Sequence, residues 1–214
     1  MLKALFFDLD GTLINSMEVH VNTWISALKP KNLITTRDRL LKLGGVGYKD
    51  TISIIAKENN SKLNDNDVDE IHNLKQQFFE KHIDEVKIYD VYDDLKFLKE
   101  KGIILFLVTS TNRRFAVHHL NHFFPNIFDY ILGAEDFSHT KPHPEPYIKA
   151  WELSGFDKKD CFVIEDAPAG IESGNTAGIK TLGIMTSNTK ENLSHAYKIF
   201  ENHNELFEFL RKEL

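Results

Sequence analysis

The sequence predicts an α/β protein built on a doubly wound parallel sheet, with an all-helical subdomain inserted after the first strand. Three observations carry this. Short, almost uninterrupted apolar runs alternate with amphipathic helical patterns, as in βαβ units whose strands are buried on both faces. Residues 15 to about 86 break that alternation with helical periodicity alone. Acids, small hydroxyls or a lysine follow the apolar runs, and the carboxyl ends of the strands are where a doubly wound sheet binds ligands.

The first run, Ala4-Leu5-Phe6-Phe7, reads as a buried strand and leads directly into Asp8-Leu9-Asp10-Gly11-Thr12. Gly11 allows a sharp turn. Side chains i and i+2 of a strand share a face, so Asp8 and Asp10 converge if strand geometry persists to Asp10. Two acids brought together repel and lose hydration unless a cation joins them. Mg²⁺, a hard ion that prefers carboxylate, phosphate and water oxygens, fits such a place. A plain turn is the competing reading, since Asp and Gly are turn residues. A calcium loop matches only in part: Gly11 falls too early and Val19 holds the twelfth position from Asp8.

The helical block follows, with apolar positions at Val19, Val21, Trp24, Ile25 and Leu28, then Ile52, Ile54 and Ile55, then Val68, Ile71, Leu74, Phe78 and Phe79. A polar turn over 59–67 separates two of its helices, with Asp65 or Asp67 the expected N-cap. Placed after the first strand, the block is expected to lie over the strand ends and exclude water from a ligand. The expected division is 1–14 and 87–214 for the core and 15–86 for the helical cap.

Beyond it, strands are expected at 103–108, 130–134, 161–164 with Glu165, and 181–184 after a helix stop at Gly178. Helices are expected over Tyr92 to Lys101 and Arg113 to Phe124. Thr109, Ser110, Thr111 and Asn112 follow Val108; hydroxyls and free N–H groups ahead of a helix form a phosphate cradle, and one of them caps the helix. Lys141 sits in Thr140-Lys141-Pro142-His143-Pro144-Glu145-Pro146, where three prolines restrain the backbone that presents it. Its ammonium can neutralise a phosphate and nearby carboxylates. Glu165 and Asp166 form a second acidic pair at a strand end, suited to completing an oxygen shell around a metal. Gly170 lets the next helix start close to the sheet.

The chain has 214 residues, enough for one α/β domain with an insertion, and its 42% hydrophobic and 27% charged content is that of a globular protein. A net charge of −6 gives no support to nucleic-acid binding, which would favour a basic face. No apolar stretch is long enough for a membrane span, and the chain enters a strand too soon after Met1 for a signal sequence. A cytoplasmic protein, a monomer or weak homodimer, is expected. The single cysteine, Cys161, is expected to pack as a small buried hydrophobe.

Taken together, Asp8-x-Asp10-Gly-Thr, Thr109-Ser110, Lys141-Pro142-x-Pro144 and Glu165-Asp166 resemble the motifs of the haloacid dehalogenase-like superfamily, in order and spacing. The helical insertion and Glu165-Asp166-Ala-Pro-Ala-Gly-Ile171 resemble its phosphoglycolate phosphatase and β-phosphoglucomutase branch. The resemblance implies a Rossmann-like core and a Mg²⁺-dependent phosphatase acting on a small phosphorylated metabolite, such as a sugar phosphate. It implies Asp8 as nucleophile forming an aspartyl-phosphate and Asp10 as general acid and base. Mg²⁺ would be held by Asp8, the carbonyl of Asp10, and Asp166, with Glu165 as ligand or neighbour. Thr109, Ser110 and Lys141 would grip the phosphoryl oxygens. A metal-free dehalogenase needs neither Asp10 nor Asp166.

On the cap, the resemblance places His20 toward the substrate, and Leu43-Gly44-Gly45-Val46-Gly47-Tyr48-Lys49-Asp50 resembles the specificity loop, with Gly45, Tyr48 and Lys49 as candidate contacts. Tyr48 stands where the mutase has a phosphate-binding arginine, and Lys49 lacks the bidentate fork; this favours hydrolysis over a phosphomutase. Asn15 replaces a common aspartate and Asp90-Val91 a frequent Pro-Gly. A catalytically idle phosphometabolite-binding protein is a further alternative. His118 and His122, at i and i+4 beside His119, match zinc spacing but lack a third ligand and read as a solvated helix face.

Overall fold

The computed structural model describes residues 1–114, 116–117 and 123–214. The histidines considered above, His118, His119 and His122, lie outside the described residues. Six strands form one parallel sheet: β1 (Ala4–Phe7), β4 (Ile104–Val108), β5 (Tyr130–Leu132), β6 (Cys161–Glu165), β7 (Lys180–Ile184) and β8 (Lys198–Phe200). Their spatial order is β5-β4-β1-β6-β7-β8. The chain builds outward from β1 through β4 to β5, then returns to the other side of β1 with β6. The order therefore reverses beside β1, and the crevice at the carboxyl ends of β4, β1 and β6 is the topological switch point.

The apolar runs are strands rather than buried helices because both faces of the sheet are covered. Leu5 and Phe7 of β1 pack on one face with Leu105, Leu107, Phe162 and Ile164, under α5 (Tyr92–Glu100) and the last helix, α8 (His203–Lys212). Ala4 and Phe6 face the other way with Phe106, Val108, Cys161 and Val163, under Tyr147 and Ala150 of α6 (Glu145–Ser154). On that face α7 (Pro168–Thr176) leads into the buried Ala177 and Ile179. Cys161 is a free, buried thiol within this second cluster, as its apolar neighbours predict. Alternate residues thus point to opposite cores, and the register pairs Phe6 with Phe106 on one side and Val163 on the other.

Four helices, α1 (Met17–Leu28), α2 (Arg37–Lys42), α3 (Tyr48–Glu58) and α4 (Asp65–Lys81), form a separate block. It has its own apolar cluster of Val21, Leu28, Leu40, Ile52, Ile55 and Ile71. Three local features differ from expectation. The N-cap of α4 is Asn64, whose side chain accepts the Asp67 N–H at 2.9 Å while Asp67 returns a bond to the Asn64 N–H. Asp67 is the third helical residue of a capping box, which the run of consecutive capping-type residues conceals. A short antiparallel ribbon joins β2 (Ile14–Asn15) to β3 (Lys87–Ile88), at the two crossings between block and sheet. Two-residue strands have no readable period. The outer strand β8, Lys198-Ile199-Phe200, has three residues, also too few to show a period.

Among the described residues no helix is long and apolar enough to cross a membrane. The sheet core predicts a large local cost for truncation at its centre. Leu105→Ala, at a fully buried position on β4, should destabilise by about 2–5 kcal/mol. Denaturant titration should show a lower midpoint with an unchanged slope.

Candidate active site

β1 ends at Phe7, and Asp8 follows with its N–H donated to the Ile164 carbonyl of β6 at 3.0 Å. This anchors Asp8 in the crevice, where it is buried. Lys141 reaches the same point from its proline-stiffened loop, fully buried. Its ammonium donates to Asp8 Oδ1 at 2.6 Å, Glu165 Oε1 at 2.6 Å and the Val108 carbonyl at 2.9 Å. These three partners follow or end β1, β6 and β4, so one cation ties three strand ends together. Burial acts to lower the Lys141 ammonium, but the Asp8 and Glu165 carboxylates outweigh it and raise it above the usual lysine range.

Tyr147 of α6 donates to the same Glu165 Oε1 at 2.6 Å. Glu165 Oε2 is buried with no hydrogen-bond partner among the described residues. Gly170 explains how the carboxylate fits: a Cβ there would stand 1.9–2.2 Å from its carbon and oxygens. Asp166, next along, accepts from Thr12 Oγ1 at 3.3 Å and from Ser187 Oγ. Gly11, at φ +86°, turns the chain against it, and a Cβ would fall 2.0 Å from Asp166 Oδ2. Asp8, Glu165 and Asp166 each bring a carboxylate oxygen within 4.8 Å of the other two, a set able to hold a metal ion.

The electrostatics of this cluster are strained without a cation. Burial, then repulsion from Glu165, pushes the Asp166 carboxyl up to about 7, despite the Ser187 hydrogen bond. Asp8 is likewise raised, by burial above all, with Lys141 opposing.

Asp10 departs from the expected convergence. Because β1 ends at Phe7 and the chain turns at Gly11, its carboxylate is directed to the helical block rather than to the Asp8 cluster. It accepts from Ser16 Oγ at 2.7 Å, Thr111 Oγ1 at 2.6 Å and His20 Nε2 at 2.9 Å. Burial would raise it, but His20 and these hydrogen bonds bring it well below the usual carboxylate range. Lys75 Nζ stands 3.0 Å from His20 Nδ1. An ammonium only donates, so Nδ1 accepts, and the ring proton sits on Nε2 facing Asp10. Burial and the Lys75 charge lower the His20 pKa, consistent with a neutral ring. Lys75 itself, packed over Phe79 at 4.7 Å and Trp24 at 5.8 Å, is pushed by burial down to about 8.

The remaining expected residues divide. Thr109 is buried beside the site and its hydroxyl accepts the Thr111 N–H at 3.0 Å. Ser110 Oγ donates to the Gly45 carbonyl at 2.6 Å, so core and helical block touch here. Asn112 accepts the Arg114 N–H and caps the helix that follows. Tyr48 lines the cavity, stacked on His72 at 3.8 Å. Lys49 does not reach it: successive helical residues face different sides, and Lys49 is exposed with its ammonium 6.0 Å over the Tyr48 ring. The cavity, about 1180 Å³, runs from Asp8, Asp10 and Thr109 to His20, Tyr48 and Lys75. Lys75, Ser16, Tyr147 and Ser187 carry no motif, and no local sequence pattern marks them.

The model of the haloacid dehalogenase-like hydrolases matches residues 5–184, which include every strand end just described. The chain belongs to this family. Among its curated relatives are proteins named pyrophosphatase PpaX. That of Bacillus cereus strain AH820 is 30% identical over 207 residues, covering 92% of this chain and 89% of the relative. That of Bacillus mycoides strain KBAB4 is 30% identical over 205 residues. Among solved structures, a Bacteroides vulgatus protein provisionally designated β-phosphoglucomutase superposes with TM-score 0.91 at 29% identity, over 100% of this chain and 90% of its own. A β-phosphoglucomutase from Clostridium difficile shares the fold, at TM-score 0.87 and 24% identity, over 100% and 97%.

A dehalogenase-like hydrolase with carboxyls raised this far should be destabilised by its own site when metal-free. Between about pH 4, where an unfolded aspartate loses its proton, and about 7, folded Asp166 still holds one. The folded state then binds more protons, so stability falls as pH rises across that window. Asp166→Asn should flatten the slope and raise the stability of the metal-free protein at neutral pH, measured by denaturation in chelator across this range.

Proposed function

We propose that this chain is a Mg²⁺-dependent phosphatase that hydrolyses a small phosphorylated metabolite through an aspartyl-phosphate. The observation that carries the reading is the charge balance at the strand ends. Asp8, Glu165 and Asp166 oppose one ammonium, Lys141, leaving two negative charges, the complement of one divalent cation. The buried Glu165 Oε2, without a hydrogen-bond partner among the described residues, and the raised Asp8 and Asp166 carboxyls fit such an ion. Asp8, Asp166 and the Asp10 carbonyl would hold it, with Glu165 beside it. When bound, Mg²⁺ supplies positive charge that relieves repulsion between carboxylate and phosphate.

The protein's own residues do the rest. The Asp8 carboxylate attacks phosphorus in line, and the leaving alcohol departs as Asp8 becomes an acyl phosphate. Lys141, the Thr109 hydroxyl and the Ser110 N–H hold the phosphoryl oxygens as charge builds on them. Asp10, ionised in the free site, takes up the proton that a phosphate monoanion carries in and gives it to the leaving oxygen, then takes one from the water that cleaves the intermediate. His20 orients Asp10. The helical block, read as a cap over 15–86, excludes bulk water through contacts such as Ser110 with Gly45.

Inorganic phosphate release from a panel of phosphate monoesters, with inorganic pyrophosphate included on the strength of the PpaX relatives, tests this. Release should require Mg²⁺, vanish in Asp8→Asn and fall roughly 10²–10⁴-fold in Asp10→Asn. Mg²⁺-dependent conversion of a sugar 1-phosphate to its 6-phosphate without release would instead establish a phosphomutase. Binding without either reaction would leave the idle binder.

His20 should matter less than Asp10 itself. His20→Asn removes the Lys75 link, and the expected result is a kcat loss with a shifted acid limb of the pH–rate profile, measured at saturating substrate.

A further inference from the structure

The loop that carries Lys141 inward presents three ligand-type side chains on its other side: His139, His143 and Glu145. One ligand atom from each lies within 4.8 Å of the other two. Both histidines are exposed, and their rings stack with centroids 4.5 Å apart and planes at 29°. We propose that His139, His143 and Glu145 form a second metal site, one that takes a divalent transition ion such as Zn²⁺.

The donor set selects the ion. Imidazole nitrogens suit zinc, copper and nickel, whereas Mg²⁺ prefers an all-oxygen shell such as the carboxylates at the strand ends. The separation fits as well. His139 Nδ1 and Glu145 Oε2 stand 3.1 Å apart, and ligands at about 2.0–2.2 Å from a tetrahedral ion stand roughly 3.4 Å from each other. An ion can take the place of the proton between them, and the neutral His139 ring then carries that proton on Nε2. Lys149 bonds Glu145 Oε1 at 2.9 Å, on the opposite oxygen. His143 swings in from its stack to complete three protein ligands, giving up the Glu145 N–H that Nδ1 accepts at 3.2 Å. The fourth position stays open.

The backbone beneath is already ordered, so little entropy is lost on binding. Pro142 and Pro144 fix φ on either side of His143. The His143 carbonyl accepts from Ser173 Oγ at 2.7 Å. Glu145 accepts the Ser138 and His139 N–H groups, each at 2.9 Å. Those bonds, Ser138 first, hold its carboxyl down at about 2, so it is ionised at neutral pH. A carboxylate that only braced the turn would need neither histidine.

Calorimetric titration of the full chain with Zn²⁺, in excess Mg²⁺ to fill the strand-end cluster, tests the site. One Zn²⁺ should bind the native protein and Asp166→Asn alike. His139→Ala and His143→Ala, both at exposed positions, should each weaken it at least tenfold. Zn²⁺ should raise the melting temperature of the native protein and not of His139→Ala, a readout taken on folded protein. Absence of Zn²⁺ binding in excess Mg²⁺ would overturn the proposal. So would an affinity unchanged by both histidine variants, or one lost in Asp166→Asn.

Discussion

Lys141 places a positive charge where no part of its side chain meets solvent, 2.6 Å from Asp8 and 2.6 Å from Glu165. Stripping three charged groups of water costs several kcal/mol for each ion, and only close, fully hydrogen-bonded geometry returns it. That requirement governs the surrounding architecture. The prolines hold the lysine's loop, Tyr147 and Lys141 share Glu165 Oε1, and Gly170 leaves room for the carboxylate. β1, β4 and β6 must end level with one another for one ammonium to reach Asp8, Val108 and Glu165. Removing the lysine would leave two buried carboxylates facing each other, so the residue proposed to grip the phosphoryl group also holds the crevice together.

The geometry also separates two aspartates only two residues apart. Asp8 lies among acids and is raised; Asp10 lies among donors and is lowered. Opposed environments are how neighbouring carboxyls acquire different roles. The helical block contributes directly to this division, since Ser16, His20 and, through His20, Lys75 all belong to it. A sheet carrying the same motifs without that block would leave Asp10 with Thr111 as its side-chain donor.

What the sequence made legible follows from range. Apolar runs, the i and i+2 spacing of the acids and the hydroxyls after Val108 are local patterns, and each marks a strand end. The crevice needed only the rule that parallel strands align their carboxyl ends. Lys75 is 55 residues from His20 and Tyr147 is 18 from Glu165, with no periodicity linking either pair. Such contacts depend on how α4 packs against α1 and how α6 lies on the sheet. The helical register decided Lys49 against the cavity, and the end of β1 at Phe7 decided the direction of Asp10; both turn on a single residue, which is finer than a sequence pattern resolves.

The same ordering explains why hydrolysis and transfer are so close on this scaffold. On the proposed reading both begin with attack by Asp8 and differ in what next meets the acyl phosphate, water or a second hydroxyl. Retaining a phosphorylated intermediate for re-attack demands a firm grip on its distal group. In this chain the specificity loop offers Tyr48, occupied in a stack with His72, and an outward Lys49. The buried cation of the block, Lys75, is engaged with His20 rather than presented freely. In that reading the core makes the intermediate, while the block holds Asp10 ionised and able to accept a proton from the incoming nucleophile. On the hydrolytic reading proposed above, that nucleophile is water.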